Sequence, residues 1–172
     1  MKNMMKNMNF PSIEEFISAI GRDSDSSELQ LIFSKIGIKI KNLDDYRLDV
    51  KGQRLWSDDS AGLQLEFKDI GILREIPYHD IDEGPWVLTD VIFWGWREKT
   101  NSCYTGALPY GLDFSMSRAS VREKISRELG QPEILGFSDN IDMWVLGTMK
   151  IAIDYAGKKG IRCISLGMPV EE

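Results

Sequence analysis

The first patterned stretch of the chain has a helical period. Ile13, Phe16, Ile17 and Ile20 recur at three- and four-residue spacing behind Ser12, a good N-cap, and Glu15, which completes a capping box. This predicts a helix over 12–20, stopped by Gly21. A polar link, Asp23-Ser24-Asp25-Ser26-Ser27, offers caps for a second helix over 27–36. Its apolar face is Leu29, Ile32, Phe33 and Ile36, and Gly37 ends it. The two read as a helical hairpin. After Gly37 the period drops to two. Tyr46, Leu48 and Val50 alternate, Lys51-Gly52-Gln53 is expected to turn, and Leu55-Trp56 to resume the strand. Residues 62–67 alternate apolar and polar as a half-buried antiparallel strand should. Residues 70–85 form a long connection, and 86–96 a strand of β-branched and aromatic residues. A polar loop over 97–105 and a short edge strand over 104–108 are expected next. Ser117 then caps a helix over 118–129 whose inner face is Val121, Ile125 and Leu129; Gly130 ends it and Pro132 prevents its restart. Strands follow at 144–146, 149–155 and 161–166, the last two joined by a hairpin turn at Ala156-Gly157-Lys158-Lys159-Gly160.

The switch from helical to alternating period occurs twice, at Gly37 and at Gly130. The expected fold is therefore α+β: one antiparallel sheet with the three helices packed on one face. The two halves can be read as tandem α–β units, 10–100 and 101–172, within one domain spanning 1–172. In that reading Trp56 matches Trp144, Leu63-Leu65-Phe67 match Ile151-Ile153-Tyr155, and Leu88-Val91-Phe93 match Ile161-Ile164-Leu166.

Composition narrows the classes. With 172 residues, 42% hydrophobic and 28% charged, the chain falls in the globular range. It has no apolar run long enough for a membrane span and no signal-like stretch after Lys2 and Lys6, so a cytoplasmic protein without a membrane partner is expected. Its two cysteines, Cys103 and Cys163, and single histidine, His79, exclude a disulfide scaffold; no metal, cofactor or catalytic triad is expected. His79 beside Asp80 could form an acid–base pair, but no nucleophile is fixed next to it.

Charge is placed unevenly. The net charge is −6, and residues 57–83 hold all of the excess: Lys68 and Arg74 against Asp58, Asp59, Glu66, Asp69, Glu75, Asp80, Asp82 and Glu83. Such a segment repels nucleic acid and steers basic partners. Its spacing does not match a calcium loop. Tyr78, Trp86, Trp94 and Trp96 flank these acids, and aromatic residues carry binding energy out of proportion to their number. The candidate partner surface is accordingly Tyr78, Asp80, Asp82, Glu83 and Trp86, with Asp58, Asp59, Trp94 and Trp96 adjoining; packing in the core is the competing role for each Trp. Arg118, Arg122, Lys124 and Arg127 lie on one helix without interleaved aromatics and read as a solvated face.

The stretch Gly111-Leu112-Asp113-Phe114-Ser115-Met116-Ser117-Arg118, followed by Val121 and Leu129-Gly130-Gln131-Pro132, has the pattern G-L-x-F-x-x-S-R-x-x-V, then L-G-x-P. It resembles small bacterial proteins encoded beside polymorphic toxins, including type VI secretion effectors, and taken to be their immunity proteins. The helix-to-strand part is also similar to the repeat of beta-lactamase inhibitory protein and of small outer-membrane assembly lipoproteins. The resemblance implies a non-enzymatic protein that binds a cognate toxin domain and occludes it. The acidic surface suits a basic toxin such as a nuclease. Two other readings stand beside it: an enzyme using Asp80, Asp82 and Glu83, and a structural or adaptor domain. Oligomeric state is open.

Overall fold

A computed structural model describes residues 9–47, 50–134, 139–157 and 160–169. The helices form where the caps predict them. α1 (Ile13–Ala19) begins at Ser12, whose hydroxyl accepts the Glu15 N–H at 3.1 Å while Glu15 accepts the Ser12 N–H at 3.0 Å. α2 (Ser27–Ile36) starts behind Ser26 and ends on Gly37, which is in the left-handed region.

The chain then runs through β1 (Asp44–Arg47), β2 (Val50–Asp58) and β3 (Leu63–Asp69), a one-turn helix α3 (Ile70–Leu73), and β4 (Trp86–Trp94). α4 (Arg118–Leu129) leads into β5 (Glu133–Ile134), β6 (Ile141–Leu146), β7 (Met149–Asp154) and β8 (Cys163–Gly167). Among the described residues eight strands join one antiparallel sheet in the order β1-β2-β3-β4-β8-β7-β6-β5. Each half is thus a helix or helix pair followed by a four-stranded meander, and the two last strands pair.

Cross-strand register explains how the core is made. Trp56, Leu65, Val91, Leu166, Ile151 and Trp144 form one row across six strands. The adjacent row is Leu63, Phe93, Ile164, Ile153 and Asp142. Both rows face the helices. Phe16 of α1 meets Phe93 edge-on at 5.5 Å, Phe33 of α2 lies 5.9 Å from Phe67, and Val121 and Ile125 of α4 are fully buried in the same cluster. The opposite face carries Gln64, Glu66, Asp90, Trp94, Lys150 and Ser165, all half-buried.

Several expectations are corrected. Lys51-Gly52-Gln53 does not turn but lies inside β2; the β1–β2 connection falls at 48–49, outside the described residues. Gly52 is needed there because its φ of +77° lies in the left-handed region that side-chain-bearing residues rarely adopt, and the end of Ile72 lies where a Cβ would be. Residues 104–108 form no strand, and β4 stops at Trp94, before Trp96. The repeat correspondence is out by one pleat: Trp56 opposes Leu65, whereas Trp144 opposes Ile151. Part of the expected hairpin turn, 158–159, lies outside the described residues.

Candidate functional site

The connection between β3 and β4 is tied at both ends by one buried carboxylate. Asp69 closes β3; its Oδ1 accepts the Gly71 N–H at 2.7 Å and its Oδ2 accepts the Gly84 N–H at 2.8 Å. His79 Nε2 lies 3.1 Å from the same Oδ1, so the carboxylate that meets this histidine is Asp69 and not Asp80. The Ile70 N–H donates to the Pro85 carbonyl across the base of the loop at 3.1 Å. Further out, Asp82 Oδ1 accepts the Gly52 N–H at 2.7 Å and fastens the loop to β2. A long loop braced in this way holds a shape that its own hydrogen bonds set.

That shape turns apolar side chains outward. Ile72, Ile76 and Ile81 are exposed, and Tyr78 is 106% exposed, the full surface of a free side chain. Glu75, Tyr78 and Asp82 have positive φ, a conformation that costs a non-glycine residue energy and clusters at functional segments. Between Ile70 and Gly84 the only Lys or Arg in the sequence is Arg74, against Glu75, Asp80, Asp82 and Glu83. The result is a loop on which exposed apolar residues alternate along the chain with carboxylates.

The sequence-predicted residues divide into three groups. Tyr78, Asp80, Asp82 and Glu83 sit together on the exposed loop. Trp86 does not join them: it is 4% exposed, packs in the core, lies under the Arg54 guanidinium at 4.8 Å, and has no free face to offer. Asp58, Asp59, Trp94 and Trp96 lie at the far end of β3 and β4, since Asp69 pairs with Trp86 at one end and Leu63 with Phe93 at the other. There Asp58 caps its own turn by accepting the Ser60 and Ala61 N–H groups, and Asp59 lies 3.8 Å from Arg97. Trp94 is on the open sheet face, with Arg97 stacked 4.7 Å from its ring and its indole N–H pointing to Gln64 at 3.4 Å. Trp96 is 41% exposed. The isoleucines of the loop were not anticipated. Their signal is apolar residues inside a charged connection too short and irregular to bury them.

Two further charge clusters lie elsewhere. Asp142, fully buried in an otherwise apolar row, receives paired hydrogen bonds from Arg118 (2.7 and 3.3 Å) and Arg122 (both 2.7 Å) of α4. Burial alone would raise its pKa; the two guanidinium groups, with the Tyr155 hydroxyl nearby, outweigh that and hold it at about 2. The expectation of a solvated basic face on α4 therefore fails for Arg118 and Arg122, which are committed to this carboxylate. On the open sheet face Glu66 opposes Asp90. Burial raises both carboxyl pKa values, and for Glu66 the Asp90 charge adds to the effect. Lys150 Nζ lies 3.9 Å from Asp90. Cys163, on β8, is pushed up to about 12 by burial and then by Asp154.

Among the described residues no helix is long and apolar enough to cross a membrane. No family model, curated protein or solved structure matches the chain.

Proposed function

We propose that the protein is a cytoplasmic immunity protein that binds a cognate toxin domain through the 70–85 loop and blocks it by occlusion. The observation that carries this reading is the braced loop on which Ile72, Ile76, Tyr78 and Ile81 are exposed among Glu75, Asp80, Asp82 and Glu83. An apolar, aromatic centre with a charged rim is the anatomy of a binding hot spot, where desolvated anchors slow dissociation and rim charges speed encounter. A partner that fits is basic around an apolar pocket, and nucleases are often basic. Preformed geometry lowers the ordering cost of association, and the contacts from Asp69 and Asp82 supply that preorganisation. The motif 111–118 contributes scaffold: Ser117 caps α4 and Arg118 holds Asp142.

Co-expression with the product of the gene immediately upstream tests the reading. The expected result is a stoichiometric complex on size exclusion and rescue of host growth from that product. Growth arrest that persists at excess of this protein, with no complex formed, would overturn it.

A further inference from the structure

We infer that His79 is the positioning residue of the 70–85 loop: its ring, seated on Gly71 and against Asp69, pins the tip so that Tyr78 is presented to the partner. The inference rests on this loop being the docking site. It supplies what the ties at the loop base and at Asp82 leave open, the conformation of the segment between them.

From Arg74 to Glu83 every residue except His79 is exposed. Tyr78 before it is 106% exposed, whereas the His79 side chain is 18% exposed. A single inward side chain in ten residues is the one handle by which the fold can grip the tip.

Two neighbours receive the ring. The first is Gly71 in α3. A Cβ there would fall 2.2 Å from His79 Cδ2 and 2.8 Å from its Cγ, so the ring lies directly on the glycine backbone. Gly71 is not in the left-handed region; clearance for the ring is what glycine provides at this position. The second is Asp69, fully buried at the end of β3. His79 Nε2 is sealed from solvent 3.1 Å from Oδ1, the oxygen that also accepts the Gly71 N–H. It is close enough for an ion pair but out of line for a hydrogen bond, so the contact is one of packing and charge.

The ring is therefore where the end of β3, α3 and the loop tip meet. On either side of it the chain is tied once. The Ile76 N–H donates to the Gly71 carbonyl at 3.1 Å, and the Gly52 N–H donates to Asp82 Oδ1 at 2.7 Å. Tyr78, at φ +60°, immediately precedes the pinned residue, so the seat of the imidazole fixes the direction in which the phenol leaves the loop.

The test is amide hydrogen exchange on the full chain, followed by dissociation of the partner proposed above. His79→Ala should speed exchange at Ile76 and Gly52 about tenfold, while the Gly84 amide at the loop base and the core strands stay protected. Gly71→Ala should do the same by displacing the ring. The double variant should be no worse than His79→Ala alone, because without the ring nothing is left to displace. Unchanged exchange at Ile76 and Gly52 in His79→Ala, or additive effects in the double variant, would overturn the pin. Dissociation of the partner should quicken about tenfold in both single variants at an unchanged thermal midpoint. Faster exchange with unchanged dissociation would overturn the docking role of the loop instead, and the two failures are told apart because exchange is measured with no partner present.

Discussion

Asp142 and the carboxylates of the 70–85 loop are the same chemical group in opposite settings. Asp142 is buried on the helix-facing side of β6 and is met by two forked guanidinium groups, so its charge is spent inside the molecule. Asp80 and Glu83 stand in solvent, and Asp82 gives one oxygen to the Gly52 N–H while its residue stays exposed. The first arrangement joins α4 to the sheet; the second leaves a field around exposed isoleucines. Charge in a sequence therefore becomes function or structure according to what the fold brings opposite to it. In this protein Glu75, Asp80, Asp82 and Glu83 share one loop with the exposed Ile72, Ile76, Tyr78 and Ile81.

The largest loss is expected from Trp86→Ala, which should cost about 3–5 kcal/mol of stability, since it empties a core position. A Trp86→Ala protein of full stability and weakened partner binding would instead return Trp86 to the interface. The sharpest way to break the comparison is Asp142→Asn. It leaves two guanidinium groups, each about a third exposed, beside a neutral amide, and the lost charge-assisted hydrogen bonds cost about 2–3 kcal/mol. Urea unfolding should show that loss, with binding by the remaining folded protein unchanged.

Acid titration follows with a smaller effect. Asp142 is depressed from 3.8 to about 2 in the folded state. A depressed carboxyl stabilises the fold above its unfolded pKa, and this contribution is lost as pH falls through the folded value. Unfolding free energy should drop by about 2 kcal/mol between roughly pH 4 and pH 2, and Asp142→Asn should flatten that limb. Glu66 and Asp90 act in the other direction. Their raised values make the folded state take up protons first, so stability should rise slightly as pH falls from neutral toward about 4.5. Glu66→Gln should raise stability at pH 7 and shrink that rise.

Exchanging Asp80, Asp82 and Glu83 together for Asn, Asn and Gln should be milder still for the fold, because an asparagine side chain at position 82 keeps an oxygen for the Gly52 N–H. Association with the proposed partner should slow about tenfold at low salt and lose most of its salt dependence, as stopped-flow mixing would show.

Much of this architecture was legible in local chemistry. The capping box at Ser12 and Glu15, the Ser26 and Ser117 caps and the Gly37 and Gly130 stops place three helices, and alternation places most strands. What escaped was set by distant partners. Nothing near Arg118 and Arg122 announces a carboxylate 24 positions beyond Arg118, although the alternation of Asp142 with Trp144 does place that acid on the inner face. Gly52 looked like a turn because its other use, a left-handed residue inside β2, leaves the same glycine signal in the sequence. The acidic part of the candidate surface was readable from charge. Its apolar part was not, because Ile72, Ile76 and Ile81 count as core residues until the fold leaves them outside.

The central claim is that the loop tip binds the partner while contributing little to the fold. The most direct measurement is the affinity of Tyr78→Ala for the proposed toxin partner, taken beside its thermal unfolding. The prediction is about 2 kcal/mol weaker binding, roughly thirtyfold and mainly in dissociation, with the unfolding midpoint unchanged. Wild-type affinity for the folded Tyr78→Ala protein would contradict it.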